Sequence, residues 1–244
     1  ETEQVFVFRE VSDLPVPSIL RGFSAPVMLE TDHSDADLAI LMGHDNDPFN
    51  RWDAGQRLAR KQILNLLNHS GETMLDESFI EAFGRTLKNE FVDRAFQAFA
   101  LRLPEENYLS EFTEVINPEK IHNARRSVAI ALAKRYREPF LAHYHALKVP
   151  GPCSLDVVSA GMRALRNICL AYLMTLEEED FVHLALEQLK TADNMTDALA
   201  ALALLAGSPH PARDEALMYF YDLWREYPLV IDKWLRVQAV SRLP

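Results

Sequence analysis

From Ser34 onwards the chain repeats one pattern: a capping residue, apolar residues three and four apart, then a stop. That spacing lays an apolar stripe along one side of a helix, and the stripe must be buried against a neighbour. Ser34, with Asp37 three residues on, opens the first segment ahead of Leu38, Ile40 and Leu41. Asn50 is placed to cap a long helix carrying Trp52, Ala59, Ile63, Leu66 and Leu67 on one face, with Gly71 as its stop. Asp76 precedes Phe79, Ile80, Phe83 and Leu87. Phe91 to Leu103 predicts a short helix, and Pro104 starts another through Tyr108 and Phe112. Asn117-Pro118 puts proline at a first helical position, ahead of Ile121, Ala124, Val128, Ala131 and Leu132.

Pro150-Gly151-Pro152 is the clearest break. Beyond it, Ser154 is expected to cap a helix towards Tyr172, and Thr175 with Glu178 to form a capping box before Phe181 and Leu184. Asn194 opens an apolar helix through Leu205, stopped by Gly207-Ser208-Pro209. Leu217, Phe220, Tyr221 and Trp224 form the next stripe, and Val230 to Val240 follows the break at Tyr227-Pro228. About ten helices with short joints predict a mainly α fold of stacked helical hairpins, as in HEAT and armadillo repeats of about 40 residues. No internal sequence repeat is evident, so a compact irregular helical domain is the alternative.

The first thirty residues read differently. Val5-Phe6-Val7-Phe8 and Ser24 to Glu30 predict two strands, separated by the extended stretch Leu14-Pro15-Val16-Pro17. Two strands do not make an independently stable sheet, so these need partners.

Apolar residues at 48% and charged residues at 25% exclude disorder along the whole length. A formal net charge of -11 repels phosphate backbones and argues against nucleic acid as a partner. Two cysteines, Cys153 and Cys169, provide no disulfide framework. The longest apolar run, near Ala198 to Ala206, is too short for a membrane span, and Glu1-Thr2-Glu3-Gln4 carries no targeting pattern. These features predict a cytoplasmic protein without a membrane partner. The missing initiator methionine points to a fragment or a processed product.

Chemistry-bearing motifs are sparse. Of the eight histidines, His143 and His145 form the closest pair, and at i and i+2 they diverge on a helix. H-E-x-x-H is absent, as are G-x-S-x-G, a phosphate-binding glycine loop and a dinucleotide fingerprint. Lys120, Arg125, Arg126, Lys134, Arg135 and Arg137 could form a phosphate-binding strip but read better as a solvated helix surface. Glu177-Glu178-Glu179-Asp180 reads as the acidic first turn of a helix rather than a cation site. No catalytic, cofactor-binding or metal-ligating residue is therefore assigned.

Asn194-Met195-Thr196-Asp197-Ala198-Leu199-Ala200-Ala201-Leu202 resembles a motif of the bacterial aminopeptidase N family. So does Asp232-Lys233-Trp234 with Gln238-Ala239. Phe23-Ser24-Ala25-Pro26-Val27, Phe49-Asn50-Arg51-Trp52-Asp53-Ala54 and Leu165-Arg166-Asn167-Ile168-Cys169-Leu170 match in the same order, so the resemblance covers nearly the whole chain. It implies the C-terminal portion of a zinc metallo-aminopeptidase. Residues 1–32 would be the terminal strands of a β-sandwich domain, and residues 33–244 a helical domain truncated at its end. The family's H-E-x-x-H and G-A-M-E-N motifs lie upstream in family order and do not occur here. The resemblance thus implies zinc in the parent enzyme and none in this chain. Its partners would be the parent's catalytic domain and, through it, peptide substrates; the segment would wall the substrate chamber. Asn194 is then expected to be a helix cap and Trp234 a core residue. A free-standing helical scaffold that binds a partner on a concave face is the competing reading.

Overall fold

The computed structural model describes residues 4–27, 29–68, 74–89, 93–149, 151–241 and 243. Twelve α-helices occur among them. They are α1 (Asp35–His44), α2 (Pro48–Asn68), α3 (Glu77–Lys88), α4 (Arg94–Ala100), α5 (Glu106–Ser110) and α6 (Pro118–Arg135). The remainder are α7 (Arg137–Ala146), α8 (Val157–Met174), α9 (Glu179–Thr191), α10 (Met195–Ala206), α11 (Ala212–Trp224) and α12 (Pro228–Ala239). α1 packs on α2 and α3, α4 and α7 pack on α8, and α10 joins α8 and α9 to α11 and α12. One continuous apolar core runs through the stack, from Leu38 and Phe79 to Leu217 and Phe220.

Several ends form as their residues dictate. The Asp37 amide donates to Ser34 Oγ, and the Ser34 amide donates back to Asp37 Oδ2, a reciprocal capping box. Asn117 Oδ1 accepts from the Lys120 amide, and Asn194 Oδ1 from the Asp197 amide at 2.9 Å.

Other ends differ from expectation. α2 begins at Pro48, and Asp47 Oδ1, not Asn50, accepts from a first-turn amide, that of Asn50 itself. Asp47 followed by proline offers a carboxylate acceptor and a preset φ together, which outweighs Asn50 three residues later. Asp156, not Ser154, caps α8 through the Ser159 amide; Ser154 Oγ donates to the Asp156 carboxylate instead. Thr175 forms no capping box, because its hydroxyl donates to the Tyr172 carbonyl at the end of α8. α9 starts four residues on, after Glu178. The stop at Gly71 and the start of the segment from Phe91 lie outside the described residues.

The two predicted strands are not found: no strand occurs among the described residues. Val5, Phe6, Val7 and Phe8 belong to no helix or strand and are exposed. Strand pairing needs a neighbouring edge, and no strand occurs among the described residues to provide one. The stretch from Pro17 to His33 is held to the helices mainly by polar contacts. Arg21 pairs with Asp45 at 2.9 Å, the Gly22 amide donates to Asp47 Oδ2, and Asn50 Nδ2 donates to Ser18 Oγ.

Two glycines set the closest approaches between elements. A Cβ on Gly161 of α8 would stand 2.9 Å from the Ala95 amide nitrogen of α4. A Cβ on Gly84 of α3 would stand 2.2 Å from the Tyr136 hydroxyl, which donates to the Ile80 carbonyl at 2.7 Å. Gln97, fully buried, ties α4 to the end of α3 by donating to the Thr86 and Leu87 carbonyls. Those carbonyls lie in the last turn of α3, where intrahelical donors run out; the Asn89 amide also reaches the Thr86 carbonyl, at 3.5 Å.

Candidate functional site

α2, α4, α5, α6 and α8 enclose a cavity of about 600 Å³. Trp52, Phe99, Leu103 and Ile168 give it apolar walls; Asp53, Glu105, Arg102 and Arg125 add charge. Trp52 and Phe99 stack with centroids 5.4 Å apart, and the aromatic series continues through Phe49 to Phe23. Gln56 Nε2 donates to the Arg102 carbonyl, and Arg125 Nε to the Pro104 carbonyl, so the loop after α4 is fixed from two helices. The Tyr172 hydroxyl donates to the Leu101 carbonyl below it. Burial pushes the Asp53 carboxyl up from its ordinary range, against the opposing pull of Arg57, Arg60 and His33. An apolar concavity with a few fixed polar groups is the usual form of a small-molecule or peptide-side-chain pocket.

The residues singled out from sequence are scattered across the fold. His33 bonds the Pro17 carbonyl and Thr31, His44 meets Arg85, and His122 pairs with Glu106 at 2.8 Å. His183 and His210 both face Glu179. His145 packs against Tyr144; His69 lies outside the described residues. Among the described residues no three His, Cys, Asp or Glu side chains form a group that could hold a metal ion.

Three arginines of the basic strip are paired with carboxylates. Arg126 pairs with Glu177, Arg135 with Glu77, and Arg137 with Glu178 and Glu138. Glu177 and Glu178 of the acidic run supply two of these counter-charges, and the Arg137 guanidinium holds the Glu178 carboxyl below the usual range. Trp234 is half-buried rather than a full core residue. Its Nε1 donates to the Leu217 carbonyl at 2.9 Å, and α12 buries none of its side chains fully.

Two of the matched sequence pieces meet. Asn167 Nδ2 donates to Asp197 Oδ1 at 2.8 Å, and Gln188 Nε2 donates to Asn167 Oδ1 and to the Asp197 carbonyl. Gln188 on α9 was missed from sequence, since one glutamine in an amphipathic helix carries no periodic signal.

A stack of paired helices around a continuous apolar core, with a cavity between its helices, defines an armadillo-type repeat module. Residues 35–244 match the family described as "Domain of unknown function (DUF3458_C) ARM repeats", and the chain belongs to that family. Residues 1–32 match the companion "Domain of unknown function (DUF3458) Ig-like fold". Among curated proteins the chain is similar to aminopeptidase N of Caulobacter vibrioides, at 36% identity over 94% of this chain and 26% of that protein. It is also similar to aminopeptidase N of Escherichia coli, at 37% identity over 99% of this chain and 28% of that protein. The chain therefore spans roughly a quarter of the length of these relatives and corresponds to a C-terminal portion of aminopeptidase N. Among solved structures it resembles Legionella pneumophila aminopeptidase A in complex with aspartic acid, with a TM-score of 0.84 and 26% identity over 97% of this chain and 29% of that one.

Proposed function

We propose that this chain is the helical C-terminal segment of a zinc aminopeptidase that removes N-terminal residues from peptides, and that it walls the substrate chamber without supplying catalytic groups. The observation that carries the reading is similarity to aminopeptidase N along nearly the whole chain. The cavity around Trp52 and Phe99 supports the wall role, because it offers an apolar recess edged by fixed charge. Residues 1–32 would belong to a β-sandwich domain, in line with their match to an Ig-like family, and residues 33–244 to the helical domain. The described residues do not fit zinc: no group of three His, Cys, Asp or Glu side chains among them could hold a metal ion. Metal chemistry accordingly belongs to the parent's catalytic domain, the segment's main partner, and peptide substrates reach this chain only through it. No helix among the described residues is long and apolar enough to cross a membrane; we place the parent in the cytoplasm.

The test is to express the coding sequence that surrounds this chain and assay it with aminoacyl chromogenic substrates, running the 244-residue chain in parallel. Turnover by the parent that a chelator abolishes, with none by the chain, is the expected result. Turnover by the chain alone would overturn the assignment of chemistry to another domain. A parent lacking H-E-x-x-H and peptidase activity would overturn the whole reading in favour of a binding scaffold.

A further inference from the structure

Side-chain oxygens cap α6, α8 and α10, but α11 begins at Ala212 behind a proline, with no such oxygen in that role. A ring nitrogen takes its place. The Ala212 amide donates to His210 Nδ1 at 3.1 Å. The next two amides, of Arg213 and Asp214, donate to the His210 and Pro211 carbonyls. Ala212 is buried, where an amide that loses its acceptor is costly.

This bond fixes the tautomer. A backbone amide only donates, so Nδ1 is bare and the neutral ring carries its hydrogen on Nε2. Nε2 donates to Glu179 Oε2 at 2.8 Å, in the first turn of α9. One imidazole therefore joins α9 to the start of α11, through a different nitrogen on each side. The ring is 32% exposed, so protons reach it. Protonation places a hydrogen on Nδ1. Two N–H groups then face each other across 3.1 Å, and the Ala212 amide loses its acceptor. The new charge also stands against the positive end of the α11 dipole. Glu179 gives the imidazolium a counter-charge, so the ring stays on α9 and lets go of α11.

Neighbouring charges do not supply a substitute acceptor. From α9, Glu179 is shared with His183, whose Nε2 lies 3.4 Å from the other carboxylate oxygen. Glu178, just before α9, is engaged by Arg137. The first turn of α11 carries Arg213, Asp214 and Glu215, the last paired with Lys190 of α9. α10 has no titratable side chain after Asp197, and α12, which packs on α10 and α11, carries Asp232, Lys233 and Arg236.

We propose that His210 is a pH-operated latch: the neutral ring clasps the first turn of α11 to α9, and protonation releases α11 while the ring remains on Glu179. The latch is closed above the ordinary imidazole range, about 6.5, and open below it. Because α12 buries none of its side chains fully, release of α11 loosens the α11–α12 pair and leaves the earlier helices in place.

The test runs on the 244-residue chain at about pH 7.5 and about pH 5.5, a window that spans histidine and stops short of ordinary carboxylates. Long-range proton–nitrogen NMR correlations should place the His210 hydrogen on Nε2 alone at the higher pH; an Nδ1–H tautomer there would refute the latch. Amide hydrogen exchange, corrected for its intrinsic pH dependence, should show Ala212 protection at least ~10-fold lower at the lower pH, with α2 and α8 unchanged. Equal protection of Ala212 at both values, or an equal loss in α2 and α8, would overturn the proposal. His210→Asn keeps an acceptor that does not titrate, so its protection should be high at both values; a surviving pH response in that variant would count against the latch. His183→Gln should respond as the unsubstituted chain does, and loss of the response there would assign the switch to His183 and overturn the proposal. The tautomer and the exchange of the unsubstituted chain decide the matter even if a variant does not fold.

Discussion

Replacing Gly84 by alanine tests how α3 packs against the α6–α7 corner. On an exposed helix the change would add about 1 kcal/mol of stability, because alanine is the better helix former. Here the new Cβ would stand 2.2, 2.4 and 2.7 Å from the Oη, Cζ and Cε1 atoms of Tyr136. A hydroxyl rotation cannot relieve three ring-end contacts, so the whole ring must leave. Overpacking of this kind costs about 1–3 kcal/mol. Displacing the ring also breaks the hydroxyl's bond to the Ile80 carbonyl, about 1 kcal/mol, and its stacking on Phe83, about 0.5–1.5 kcal/mol. Against the helix gain, the net is a destabilisation of about 2–3 kcal/mol. Urea unfolding followed by circular dichroism should show a midpoint lower by about 1 M. The same substitution made in a Tyr136→Ala background should be neutral or stabilising, since the obstacle is gone. Stabilisation by Gly84→Ala in the unmodified chain, or an equal cost in both backgrounds, would refute the close-approach argument.

Asn194→Ala should lower stability by about 1 kcal/mol in the same assay, because it removes the acceptor for the Asp197 amide; an unchanged midpoint would count against the cap. Asp156 caps α8, and its bonds to Ser154 and Ser159 hold its carboxyl well below the usual range. A depressed folded-state pKa gives stability that is present above the unfolded value of about 3.9 and lost as pH falls below it. Asp156→Asn should therefore flatten the loss of stability between about pH 5 and pH 2 while leaving α8 capped, and a pH profile identical to the parent chain would contradict this. Burial pushes the Cys169 thiol up to about 12, whereas Cys153 is exposed. A thiol reagent at pH 8 should titrate one cysteine in the native chain and two in denaturant; two fast thiols in the native state would show α8 to be open.

The helices were legible because each signal is local. Ser34 with Asp37, Asn117 with Pro118, and Asn194 with Asp197 meet within one turn, so residue order alone specifies the cap. Misplaced starts arose where two candidates lie within a few residues, as with Asp47 against Asn50 and Asp156 against Ser154, and the carboxylate prevailed. Val5 to Phe8 has strand composition, but a strand is a property of a pair, and composition cannot supply the neighbour. The cavity was not legible. Trp52, Phe99 and Ile168 are 47 and 69 residues apart in succession along the chain, and only the packing of α2, α4 and α8 brings them together. Gln188 gains meaning solely from the two acceptors that pin its amide.

The backbone contact at Gly161 and Ala95 has a mechanical corollary. Two helices separated by side chains can slide as rotamers rearrange, but backbone resting on backbone has no such slack. α4 and α8 are thus fused into a stiff spine, and Gln97 bolts α3 to the same body. At the far end α12 rests on half-buried side chains and a single indole bond. Bending under load must concentrate there, so the module behaves as a rigid beam with a compliant tip, and strain applied at α12 is absorbed locally instead of reaching the cavity beside Trp52.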